Sequence, residues 1–127
     1  MAETLKRRYR AYLDCLNRQA WDELDRHVST DVHHNGQPLG VDGYRDMLLA
    51  DFEAIPDLRF EAERIVCDPP HVAARLLFRC TPRGEFLGLP VNGRTVSFGE
   101  NAFYEFADGR ISAVWSVIDK AAIEAQL

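Results

Sequence analysis

The chain has 127 residues, with 15 basic and 20 acidic side chains and a net charge of -5. Hydrophobic residues at 46% and charged residues at 28% suit a soluble globular protein, and the length suffices for one domain with its own core over 1–127. There is no basic patch interleaved with aromatics, no apolar run of membrane-spanning length and no signal-peptide core, so the expectation is a cytoplasmic protein with neither nucleic acid nor membrane as partner.

Leu5, Tyr9, Tyr12, Leu13 and Leu16 recur at spacings of three and four, which predicts an amphipathic helix over 3–19. Lys6, Arg7, Arg8 and Arg10 read as its solvated face. Trp21, Leu24 and Val28 predict a short second helix over 21–28. Ser29-Thr30-Asp31 then breaks the pattern, and Val32-His33-His34-Asn35-Gly36 reads as a short strand entering a turn. A third helix is expected after a cap at Asp42, with Tyr44, Met47, Leu48, Phe52 and Ile55 as its apolar stripe and Pro56 as its stop.

Beyond Leu58 the period becomes two. Strands are expected over 58–67 and 72–81, joined by Asp68-Pro69-Pro70-His71. The second puts Val72, Ala74, Leu76, Phe78 and Cys80 on one face, with Arg75 and Arg79 on the other. A stretch rich in glycine and proline runs from Pro82 to Gly93. The next strand, 94–106, alternates Val96, Phe98, Glu100, Ala102, Tyr104 and Phe106. Ala107-Asp108-Gly109 turns into a last strand that ends at Asp119, and Lys120 opens a helix. Helices followed by antiparallel strands imply an α+β fold. Helices laid on one face of a strongly curved sheet would form a cone with an apolar interior, suited to a small molecule.

Strict alternation along the last strand places Ile111, Ala113, Trp115, Val117 and Asp119 on one face. A carboxylate at the end of an apolar face is costly to bury charged, and its pKa should rise toward the range of a general acid or base. Trp115 would then shield it from water. Two further readings are that Asp119 caps the final helix and that Trp115 is core. Glu100 lies within an aromatic row, so it is either paired with Arg75 or Arg79 or functional. If Glu100 and Asp119 line one pocket, they could divide acid and base roles.

Of His33 and His34 only one can face the interior, and Asn35 shares a face with His33. Adjacent histidines without acidic or cysteine neighbours make a poor metal site. Cys15, Cys67 and Cys80 fit no zinc spacing and read as small buried thiols. No phosphate-binding glycine motif or nucleophile elbow is present.

The order of parts resembles the SnoaL-like polyketide cyclases, within the cone-shaped α+β barrels of the nuclear-transport-factor-2-like (NTF2-like) superfamily. The resemblance rests on Pro56-Asp57-Leu58, on Gly84-Glu85-Phe86-Leu87-Gly88-Leu89-Pro90 with Gly93-Arg94, and on Phe103-Tyr104-Glu105-Phe106 with Asp108-Gly109-Arg110-Ile111. Trp115-Ser116-Val117-Ile118-Asp119 and Gln126-Leu127 complete it. It implies an intramolecular aldol ring closure on a small hydrophobic carbonyl compound, without cofactor or metal. It makes Asp119 the general acid/base. The candidate surroundings of the substrate are Trp115, His33, Asn35, Phe86, Glu100 and Tyr104. Two departures remove polar groups: Val114 stands where relatives often have histidine, and Cys80-Thr81-Pro82-Arg83 replaces a Gly-Thr-His-type turn. The same superfamily includes isomerases, dehydratases and proteins that only bind ligands. Either an enzyme or a non-catalytic binder is therefore consistent with the chain, and apolar residues on both strand faces suggest a homodimer.

Overall fold

The computed structural model describes residues 2–127. Helix α1 (Ala2–Asn17) buries Tyr9, Tyr12, Leu13, Cys15 and Leu16, while Arg7, Arg8 and Arg10 stay exposed. It stops two residues short of the expected end because Gln19 takes a left-handed backbone conformation with φ at 52°. The Asn17 amide then ties the helix to the entry of the sheet. It donates to the Phe60 carbonyl at 2.9 Å and accepts from the Phe60 N–H at 2.7 Å.

A 3-10 helix covers Trp21–Arg26, and strand β1 (Val28–His34) begins four residues earlier than its apolar pattern suggested. Ser29-Thr30-Asp31 is therefore strand and not a break. Asn35 and Gly36, with φ at 49° and 82°, form a two-residue turn to β2 (Gln37–Pro38). Helix α2 (Gly40–Ala54) starts ahead of Asp42 and buries Tyr44, Leu48 and Phe52.

The long strands are β3 (Glu61–Asp68), β4 (His71–Cys80), β7 (Val96–Ala107) and β8 (Arg110–Ile118). The segment between β4 and β7 contains a small hairpin, β5 (Glu85–Phe86) and β6 (Leu89–Pro90), which forms its own two-stranded sheet. The main sheet runs β2-β1-β8-β7-β4-β3. Its β8, β7, β4 and β3 strands pair antiparallel, and β1 joins β8 in parallel. Register shifts in β3–β4, β7–β8 and β1–β8 mark the irregularities that let the sheet curl around the helices.

Burial follows the period-two reading on β4, where Val72, Ala74, Leu76, Phe78 and Cys80 face inward and Arg75 and Arg79 outward. On β7 the inward row is Val96, Phe98, Ala102, Tyr104 and Phe106, with Glu100 half-buried among them. These rows pack against α1 and α2 in one continuous hydrophobic core. Helix α3 (Lys120–Glu124) closes the chain, and the Gln126 amide clamps the start of β7 by bonding both the N–H and the carbonyl of Ser97. Among the described residues no helix is long and apolar enough to cross a membrane.

Candidate functional site

Between the helices and the concave face of the sheet lies a cavity of about 340 Å³. One end is built of phenylalanine. Phe78 stacks on Phe98 with ring centroids 5.2 Å apart, flanked by Phe60 at 5.5 Å and Phe86 at 5.7 Å. The other end carries the polar groups: His34 and Asn35 from the end of β1, Tyr44 and Asp51 from α2, Glu100 from β7 and Ser116 from β8. No lysine or arginine lines the cavity.

Asp119, Trp115 and His33 lie outside it. Glu105 pairs with Ala113 and Phe106 with Ile111, so Ser112 is an extra residue in β8. That bulge inverts the alternation. Ile111 points inward, but beyond Ser112 the inward residues are Val114, Ser116 and Ile118. Trp115 and Val117 are turned out, 45% and 74% exposed. Asp119 is exposed and caps α3, its Oδ1 accepting from the Ala122 N–H at 3.1 Å. The expected face joining Trp115 to Asp119 is real, but it is the convex face of the sheet. On β1 plain alternation from the buried Val28 and Val32 turns His34 inward and leaves His33 exposed in a shallow outer cleft with Trp115.

Asn35, Phe86, Glu100 and Tyr104 do line the cavity. Asn35 spends its side chain on the backbone of β8. Its Oδ1 accepts from the Ser116 N–H at 2.8 Å, and its Nδ2 donates to the Ser116 carbonyl at 3.3 Å. Ser116 is thereby held beside His34, with Oγ and Nε2 3.4 Å apart. Glu100 is not paired with arginine. Arg75 lies on the convex face against Glu63, at 3.2 Å, and Asn101, at 3.1 Å. None of the ion pairs among the described residues involves Glu100 or Asp51.

The electrostatics follow from that isolation. Glu100 sits opposite Leu76 on β4 and Ile118 on β8. Burial pushes its carboxyl up to about 6, with the Ser116 hydroxyl pulling the other way and the charge of Asp51 adding to the rise. Burial alone pushes Asp51 up to about 6. His34 is shifted down by burial, so its neutral form is favoured. The tyrosine hydroxyls pair two by two, Tyr12 with Tyr44 at 2.7 Å and Tyr9 to Tyr104 at 3.2 Å, and burial holds all four neutral. Among the described residues no group of three or more His, Cys, Asp or Glu side chains could hold a metal ion.

The sequence reading missed Asp51, His34, Ser116 and Tyr12 as lining groups. Asp51 had a usable signal. It lies three residues after Leu48 and four before Ile55, so it is an acid within the apolar stripe of a helix. His34 had one as well, since it lies two residues after Val32 and so on the same strand face; Ser116 had none, because its facing depends on the bulge in β8.

The sequence pattern of the SnoaL-like polyketide cyclases matches residues 6–127. The chain belongs to that family. A SnoaL-like polyketide cyclase from Agrobacterium tumefaciens is similar at 58% identity over 96% of both chains, with a TM-score of 0.95. TsrD from Streptomyces laurentii shares 21% identity over 99% of this chain and 96% of its own, with a TM-score of 0.85. AclR from Streptomyces galilaeus shares 23% identity over 99% and 96%, with a TM-score of 0.80. The latter two establish the NTF2-like α+β fold alone. No curated protein sequence matches the chain significantly.

Two outcomes are expected for this family member. Replacing Asp119 by alanine removes a helix cap and lowers stability by about 1 kcal/mol, while asparagine, an equally good cap, leaves it nearly unchanged; urea denaturation measures both. Glu100 and Asp51 have folded pKa values above their ordinary 4.5 and 3.8. Their ionised forms therefore cost stability that is not lost in acid. The cost is absent below about 4 and complete above about 6. Glu100→Gln and Asp51→Asn should each raise stability at pH 7 by on the order of 1–2 kcal/mol and flatten its fall with rising pH, as read from denaturation midpoints across pH. Unchanged midpoints would show that the two carboxyls are solvated.

Proposed function

We propose that the protein is a cofactor-free acid/base enzyme acting on a small hydrophobic carbonyl compound, by aldol ring closure or isomerisation, with Glu100 as its base. The observation that supports this most is a carboxylate held among apolar neighbours, without a cation, inside an aromatic cavity. We choose Glu100 over Asp119 because Asp119 is exposed and committed to capping a helix.

In the aldol case the Glu100 carboxylate takes a proton from the carbon α to a carbonyl. The C–H electron pair forms the enolate double bond, and the charge moves to oxygen. The enolate carbon then attacks a second carbonyl of the same molecule, and the resulting alkoxide takes up a proton. A base near pH 6 removes such a proton more effectively than an ordinary carboxylate and stays largely ionised at neutral pH. The family's name, polyketide cyclase, fits this chemistry. A 340 Å³ cavity holds roughly 17 non-hydrogen atoms at interior packing density, which points to mono- and bicyclic substrates.

The test is deuterium uptake in D2O at the α-carbons of 1-tetralone, 2-tetralone and related ketones, read by mass spectrometry. The wild type should accelerate exchange, and Glu100→Gln should lose about 10²-fold or more of that rate while keeping the fold. A ketone that binds but exchanges no faster than in buffer would make the protein a ligand binder.

We also propose a homodimer through the convex face of the sheet. Phe103 and Trp115, directly opposite on β7 and β8, are 59% and 45% exposed, and Val117 beside them is 74% exposed. Light scattering at micromolar concentration should give a dimer mass, and Phe103→Asp a monomer. A monomeric wild type would refute it. Three free thiols, Cys15, Cys67 and Cys80, suit a reducing compartment, and we place the protein in the cytoplasm.

A further inference from the structure

Most of the cavity wall is fixed in place. Tyr12 and Tyr104 are bonded through their hydroxyls to Tyr44 and Tyr9, and Asn35 holds the backbone of Ser116 with both ends of its amide. Phe86 and Leu87 are held differently. They line the cavity from the β5–β6 hairpin, which pairs with no strand of the main sheet.

The feet of that hairpin are pinned. Thr81 donates its N–H and its hydroxyl to the Asp57 carboxylate, both at 2.9 Å, and the Arg83 N–H donates to the Ala54 carbonyl at 2.9 Å. Pro82 and Val91 are fully buried. The Gly93 N–H donates to the Pro82 carbonyl and the Asn92 N–H to the Gly84 carbonyl, both at 2.8 Å, which closes the neck of the hairpin. Beyond the neck nothing polar holds the arm. Among the described residues, none of residues 85–90 makes a hydrogen bond outside the segment Pro82–Gly93. The arm lies down through two half-buried apolar side chains, Phe86 against Phe98 at 5.7 Å and Leu89 against the core.

The tip carries a second, independent sign. Leu87 and Gly88 turn the chain with φ at 53° and 77°, a turn that asparagine and glycine fill without strain. Leucine there is strained and 40% exposed, yet it borders the cavity. Of the described lining residues only Leu87 and Asn35 are exposed, so they mark the mouth. Asn35 is locked onto Ser116, and Leu87 is free to move with the arm.

We propose that residues 85–90 form a flap over the mouth of the cavity, and that Phe86, its latch and movable wall, sets the largest ligand the cavity accepts. This rests on the reading of the cavity as a site for small hydrophobic carbonyl compounds and adds what selects among them by size. Opening uncovers two half-buried side chains and breaks no hydrogen bond outside the hairpin, so an open state populated at roughly 0.1–10% is expected. A bicyclic ligand fits beneath the closed flap. A much larger ring system meets Phe86, and the flap cannot seat.

The test uses the whole protein and binding alone, with 2-acetylnaphthalene and the larger 1-acetylpyrene followed by fluorescence titration. The wild type should bind the bicyclic ketone more tightly. Phe86→Ala removes a benzene ring of wall and should shift the ratio of the two affinities toward acetylpyrene by about 10-fold or more, with Phe86→Leu between the two. An unchanged ratio overturns Phe86 as the size limit. The motion is read without ligand, in the wild type, by NMR relaxation dispersion. The amides of Phe86, Leu87 and Gly88 should show microsecond-to-millisecond exchange, and those of Asn35 and Val91 none. A flat profile at the tip, or exchange shared by Asn35 and Val91, overturns the flap whether or not a ketone binds. If neither ketone binds, the same ratio measured with naphthalene and pyrene decides the size limit, and the carbonyl reading alone falls. A cavity that takes none of the four overturns the size limit as well. The expected ratio together with no deuterium uptake by any ketone would keep the flap and remove the enzyme reading.

Discussion

One extra residue in β8 decides what this protein can do. Ser112 has no partner of its own on β7, and every side chain after it changes faces. In a regular ladder, with Ser112 paired to Glu105, Trp115, Val117 and Asp119 would line the interior, and Ser116 would face outward. With it, the concave surface carries Val114, Ser116 and Ile118, and a large aromatic patch is left on the convex side. The Asn35 amide reinforces the arrangement by bonding both backbone groups of Ser116. A bulge is thus a positional device: it costs one ladder position and re-aims the rest of the strand.

The second organising element is the tyrosine set. Tyr9 and Tyr12 descend from α1 onto Tyr104, with ring centroids 4.7 Å and 6.0 Å from it, and Tyr12 meets Tyr44 of α2 through its hydroxyl. Each hydroxyl finds a partner within the set, so no buried side-chain oxygen or nitrogen among the described residues is left without a hydrogen bond. The helices are thereby fixed over the sheet by groups that are polar yet neutral. The uncompensated polarity of the interior is concentrated in Glu100 and Asp51.

The parts of the fold legible in the sequence were those governed by simple periods. The stripe of α1 and the alternation of β4 and β7 match the structure closely, because burial there follows one uninterrupted period. The Pro82–Gly93 interruption falls between β4 and β7, and its small hairpin had no period to show it. Glu100 was legible as an acid in an aromatic row. Its supposed arginine partner was not, since Arg75 and Arg79 project from the other face of a neighbouring strand. Faces downstream of a bulge cannot be read by counting, which is why Asp119 and Trp115 were placed inside and Ser116 was overlooked. His34 was legible by counting from Val32, which puts His33 on the opposite, outer face. Asp51 was hidden differently: attention to apolar residues in an amphipathic stripe passes over the single acid that shares it.

The absence of any cationic side chain around the cavity has a consequence for traffic through it. Most soluble metabolites carry carboxylates or phosphates, and a desolvated pocket already bearing negative charge repels them before any question of shape arises. Uncharged, poorly soluble molecules meet no such barrier and gain from the phenylalanine end. The two acids of the interior thus also act as a filter, favouring the rare neutral compound over a crowd of anions.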